Sequence, residues 1–149
     1  MKFLVIAVCI IAAIADPVWV MLDDKEVGLV KSTWGSVKNQ EVEILAAIFK
    51  DYPDIQARFP GFVNKNIDEL KDTSKFALHA TRIVGFFSEY ITLLGQENTQ
   101  AAIKTVLNDL GQTHRNRGIP KNLFNEFRTS LTKYLQAHAT GFNDDAAHA

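Results

Sequence analysis

Two histidines in this chain stand where core leucines would be expected. His114 ends the series Ile103, Val106, Leu107, Leu110, His114. That spacing places all five on one face of a helix. Arg115-Asn116-Arg117-Gly118-Ile119-Pro120 then ends the helix abruptly. His79 heads a second apolar stripe, with Ile83, Phe86 and Tyr90 following it. A neutral imidazole on an apolar face can bind a metal through one nitrogen while the other is held by a hydrogen-bond partner. For His114 the carbonyl one turn back, at Leu110, is the natural acceptor for Nδ1–H, which leaves Nε2 for the metal. Taken alone, either histidine reads more readily as a hydrogen-bonded core residue than as a ligand. Two of them on different helices shift the balance toward a site.

The kind of site follows from what does not accompany them. Zinc needs three or four protein ligands, and no thiolate or carboxylate cluster supplies them. A metal arriving inside a flat macrocycle brings four nitrogens and needs only one or two histidines. Haem therefore suits these residues better than a bare ion. His79 then reads as a second axial ligand or as a donor to bound O2, which draws negative charge onto itself. Ile83, Phe59 and Phe62 form an apolar surround that would exclude water and disfavour loss of superoxide. Phe59 and Phe62 are also compatible with an ordinary aromatic plug.

The elements that must position these residues are all helical. A first helix starts near Asp23, where Asp23 and Glu26 have capping-box spacing, and turns Val27, Val30, Trp34 and Val37 inward. A second runs from Glu41 to Tyr52, with Val42, Leu45, Ile48 or Phe49, and Tyr52 on one face. Pro53 opens a short segment to Arg58 from a first-turn position that tolerates proline. Phe59-Pro60-Gly61-Phe62 breaks helicity. The longest helix spans about Asp72–Leu94 and the next about Asn98–Thr113. The last runs from Pro120 to His138, with Leu123, Phe124, Phe127, Leu131 and Tyr134 or Leu135 inward, and is closed by Gly141. Strand alternation is missing, so the predicted fold class is all-α.

Composition narrows the function further. The chain has 149 residues, enough for one domain, with 47% hydrophobic residues and a net charge of -1. Without a basic excess, a nucleic-acid partner has little support. Met1-Lys2, the apolar run Phe3–Ile14 and the small-residue pattern Ala13-Ile14-Ala15 read as a secretory signal over residues 1–15. The run falls short of the ~20 apolar residues of a spanning helix. Cleavage there would remove Lys2 and the one cysteine, Cys9, leaving a domain over residues 16–149 with a charge of -2 and no thiol. No Asn-x-Ser/Thr site is present. His138 and His148 have no apolar partners in the pattern and read as surface residues.

Several runs, in order, resemble the globin family. Tyr52-Pro53, Ile55, Phe59 and Phe62 resemble the globin corner. His79-Ala80, Arg82 and Ile83 resemble its distal helix, His114-Arg115, Arg117-Gly118-Ile119 its proximal histidine and following corner, and Trp34 its first-helix tryptophan. Glu41–Ala47, Tyr52–Ala57 and His79–Val84 are similar to runs in the extracellular haemoglobins of midge larvae. The resemblance covers about Leu22–Phe142. It implies a globin fold, haem b (iron protoporphyrin IX) as cofactor, O2 as ligand, and release into haemolymph; it leaves a homodimer open. His114 then stands as the proximal iron ligand and His79 as the distal hydrogen-bond donor. Phe59 would stack on the porphyrin and Ile83 would be the distal apolar gate. Phe62, Leu110, Arg82, Arg117, Ile119 and Phe127 would line the haem pocket or its edge.

The resemblance also implies a final long helix beginning about where Asp144–Ala149 end the chain, so a globin domain lacking most of that helix is expected. Leaving several hundred Å2 of apolar surface uncovered would cost on the order of 10 kcal/mol, with poor solubility or ready haem loss as the expected result. Three functions fit these residues: a secreted O2 carrier or store, a secreted helical carrier of apolar small molecules, and a haem enzyme of peroxidase or dioxygenase type. The apolar neighbours of His79 (Phe76, Ile83, Phe86) favour holding O2 over cleaving it, so no enzyme is expected.

Overall fold

In the computed structural model, residues 22–143 are described. The signal expected over residues 1–15 and the chain end at 144–149 lie outside them. The described residues form seven α-helices and one 3-10 turn: α1 Asp24–Gly35, α2 Glu41–Asp51, α3 Pro53–Gln56, α4 Ile67–Lys71, α5 Ser74–Leu93, the turn Glu97–Thr99, α6 Gln100–Asn116 and α7 Lys121–His138. No described helix is long and apolar enough to cross a membrane.

Local chemistry sets most helix starts. Asp23 accepts from the Glu26 backbone N–H while Glu26 accepts from the Asp23 N–H, at 2.8 and 2.9 Å, which closes the predicted capping box. Pro53 stands at the first position of α3. Thr73 caps α5 through its hydroxyl, so that helix starts two residues later than the pattern suggests. Pro120 precedes α7.

The core centres on α2, which packs against both α5 and α7. Ile44, Leu45, Ala46, Ile48 and Phe49 are all buried, while Val42 and Tyr52 are half-buried. The helix is thus covered on most of its circumference, not along the single predicted stripe. A helix that is apolar nearly all round belongs inside the fold.

Three expectations change. Residues 67–71 form α4, a single turn too short to register as a period. α6 continues to Asn116, so His114 lies within it and not beyond its end. Val106 is 41% exposed and does not join the inward face. At 3.6 residues per turn it lies about 60° from Ile103, on the opposite side from Leu107 and outside the arc shared by Leu110 and His114.

Candidate functional site

α6 is seated at one end only. Ile103 and Leu107 in its first half are each 1% exposed. Leu110 and His114 in its second half are only half-buried. Among the described residues, no long helix brings its backbone alongside α6 over more than isolated positions, and its main close neighbour is the 3-10 turn before it. Its second half is therefore less covered than its first.

His114 is oriented from three directions. Its Nδ1 lies 2.8 Å from the Leu110 carbonyl. A carbonyl only accepts, so Nδ1 carries a proton, and in the neutral ring Nε2 keeps a lone pair. The ring edge also meets Phe124 of α7, with centroids 5.2 Å apart and planes at 66°. Below it, α6 ends in a Schellman cap: the Ile119 N–H donates to the His114 carbonyl at 3.1 Å, and the Gly118 N–H to the Arg115 carbonyl at 2.9 Å. Gly118, at φ +70°, supplies the left-handed residue that motif requires. The cap is why Ile119, also half-buried, follows His114 so closely in space.

His79 is braced by the corner between α3 and α4. The Phe59 and Phe62 rings meet it nearly perpendicularly, at 4.9 Å and 84° and at 5.7 Å and 78°. Both rings also contact Phe49 of α2, at 5.1 and 6.2 Å, and Phe76 closes the cluster at 5.8 Å from Phe49. Burial holds the His79 pKa below its ordinary value, with the nearby positive charge of Arg82 adding to the effect. Both effects favour the neutral imidazole, which has one N–H to donate. Ile83, one turn along α5, is half-buried and apolar.

The remaining predicted residues are placed unevenly. Phe127 is half-buried and stacks on Phe87 of α5, at 5.8 Å and 12° between planes, and Phe87 in turn leans on Trp34 at 5.9 Å. It does not meet the ring of either histidine directly. Arg82 and Arg117 are exposed, as befits arginines at a rim. His138, read as partnerless, lies 4.3 Å from the Tyr134 ring; it is one turn further along α7, a spacing that allows this contact. Sequence reasoning put Phe124 on an inward face without linking it to His114, and it passed over Phe87 and Gln56. Only the glutamine inside an apolar-flanked turn hinted at a role.

Among the described residues, no group of three or more His, Cys, Asp or Glu side chains could hold a bare metal ion. What the described residues do offer is one imidazole whose Nε2 has no committed partner, a second imidazole on a different helix, and buried or half-buried apolar side chains around each. That donor set fits a flat macrocycle carrying its own equatorial ligands.

The globin family profile matches residues 42–149. Globin CTT-IX of Chironomus thummi thummi is 50% identical over 147 residues, covering 99% of this chain and 88% of that protein. Globin CTT-X of the same organism is 52% identical over 134 residues, covering 90% and 88%. The crystal structure of a haemoglobin component (TA-VII) from Tokunagayusurika akamusi superimposes with a TM-score of 0.84 at 44% identity, covering 88% of this chain and 87% of that one. The all-helical fold is thus a globin fold, and the chain belongs to the globin family.

Proposed function

We propose that this globin is a secreted haem protein that binds O2 reversibly, for transport or storage, and is not an enzyme. The observation that carries the reading is His114: its Nδ1–H is committed to the Leu110 carbonyl at 2.8 Å, so Nε2 is available to bind iron beside half-buried apolar side chains. Haem b, when bound, supplies the iron that takes up O2. His114 would hold that iron from the proximal side, with Phe124 and the Schellman cap limiting ring rotation. His79 would donate its N–H to the polarised ligand. Phe59, Phe62 and Ile83 would keep water from the ligand, and Leu110, Ile119 and Phe127 would complete the apolar walls. Arg82 and Arg117, exposed at the rim, suit the haem propionates, because a guanidinium pairs with a carboxylate through two parallel hydrogen bonds.

The pocket-side neighbours of His79 on α5 are Phe76, Ile83 and Phe86, all apolar. A peroxidase-type reaction needs further groups to move protons during bond cleavage, and this wall supplies none beyond His79. Apolar-ligand carriage alone would leave the fixed tautomer of His114 without a purpose. Release into haemolymph follows from the leader-like sequence at residues 1–15 and the resemblance to midge haemoglobins.

The test is absorption spectroscopy of the haem-loaded protein, reduced and then exposed to O2. A stable oxygenated spectrum is expected, abolished by His114→Ala and rapidly autoxidising in His79→Leu. Absence of a Soret band in the wild type would refute the proposal. Mass measurement of the same sample distinguishes a single chain from a homodimer.

A further inference from the structure

Gln56 closes α3 and is 8% exposed. Its amide nitrogen donates to two carbonyls of the following corner, Phe62 at 2.8 Å and Lys65 at 2.9 Å. Loop carbonyls that are buried need donors, and one side-chain NH2 has two hydrogens to give. The residues bridged lie six and nine positions further on. The clamp therefore spans the corner that carries Phe59 and Phe62, the two rings that brace His79. Inside the corner the Phe62 and Val63 N–H groups both donate to the Phe59 carbonyl, at 2.8 and 3.0 Å. That small network sets the ring positions locally, and Gln56 ties it to the helix.

From this geometry we infer that Gln56 is a positioning residue for the distal histidine: it fixes the corner, the corner fixes Phe59 and Phe62, and those rings fix the His79 imidazole. Its two hydrogen bonds go to the corner and none to His79. A functional consequence rests on the haem-protein reading above: with the brace intact, His79 stays where it can donate to a bound ligand and does not swing freely. Methionine at position 56 would keep the length and apolar stem of glutamine but supply no N–H. Glutamate would keep the shape and length but present acceptors to two carbonyls.

The test compares wild type with Gln56→Met and Gln56→Glu by two readouts that need no haem activity. The first is amide hydrogen exchange at Phe62, Val63 and Lys65. The second is the NMR shift of the His79 ring protons, which senses the ring currents of Phe59 and Phe62. Both variants should exchange those amides about tenfold faster, equivalent to about 1.4 kcal/mol, and move the His79 shift toward its value in an unfolded peptide. Amides in α7 should be unaffected, which separates a local role from general loss of stability. In the haem-loaded protein the same variants should autoxidise several-fold faster, with wild-type haem retention. Unchanged exchange and an unchanged His79 shift in both variants would overturn the assignment. If the wild type bound no haem, the haem-protein reading would fall, while exchange and ring shift would still decide the role of Gln56.

Discussion

Gly118 offers a clean perturbation of the turn below His114. It sits at φ +70°, and a Cβ built there meets nothing within 4 Å. Replacing it by alanine therefore adds no clash, and the whole effect is conformational. An L-residue forced into the left-handed region costs roughly 1–2 kcal/mol. Reduced freedom in the unfolded chain offsets about 0.4–1 kcal/mol of that. Gly118→Ala should then destabilise by about 1 kcal/mol. In a chain of this size that lowers the melting temperature by about 3–4 °C. Gly28 in α1 and Gly85 in α5 are exposed, and a Cβ at either also meets nothing within 4 Å. Neither has a positive φ. There the same substitution removes a helix-interior glycine and should stabilise by roughly 0.5–1 kcal/mol. Opposite signs are thus expected from one chemical change. Thermal melts followed by circular dichroism measure all three variants, and transfer of haem to an acceptor apoprotein reports on His114. Gly118→Ala should release haem a few-fold faster, because straining the cap slackens the Ile119 N–H bond to the His114 carbonyl. If Gly118→Ala matched or exceeded wild-type stability, the left-handed cap would not be what ends α6.

Phe49 is fully buried and joins the rings of Phe59, Phe62 and Phe76. Phe49→Ala should cost about 3–5 kcal/mol in urea unfolding, and a cost under about 1 kcal/mol would show that the corner rings pack without it. Asp51 at the end of α2 accepts from Lys133 Nζ at 2.7 Å and from Ser130 Oγ at 2.8 Å on α7. The lysine's hydrogen bond is the largest influence holding its pKa below the ordinary carboxylate value, with burial opposing it. A carboxylate depressed in the folded state stabilises fully above its unfolded pKa and loses that contribution as pH falls through the folded value. Because the Lys133 side chain is 69% exposed, solvent screening limits the effect. Asp51→Asn should cost less than about 1 kcal/mol at pH 7, and the gap to wild type should narrow below about pH 4. A gap that persisted or widened in acid would contradict this assignment.

The parts of the site written into local pattern are the ones that repeat with the helix. His114 and His79 are legible because each interrupts an apolar series at a helical interval, and the Leu110 acceptor follows from helix geometry alone. Asp23, Pro53 and Gly118 mark helix ends through backbone chemistry that acts over a few residues. α4 escaped notice because one turn has no period to detect. Val106 was misplaced because a series of +3 and +4 steps defines a broad arc, and only packing decides where that arc meets solvent.

What the chain alone determined, then, is which side chains share a face and where the helices stop, since those depend on neighbours within about one turn. Which helices lie opposite one another is set by long-range burial. Tertiary structure alone put Phe124 of α7 against His114 and the Gln56 amide across its corner, and it turned the expected nearness of Phe59 and Phe62 to His79 into ring contacts at 4.9 and 5.7 Å. It also left the second half of α6 only half-buried while Ile103 and Leu107 anchor the first half. These contacts join residues whose separation in sequence carries no periodic signal. They form because buried rings and buried carbonyls must find partners wherever the fold brings them.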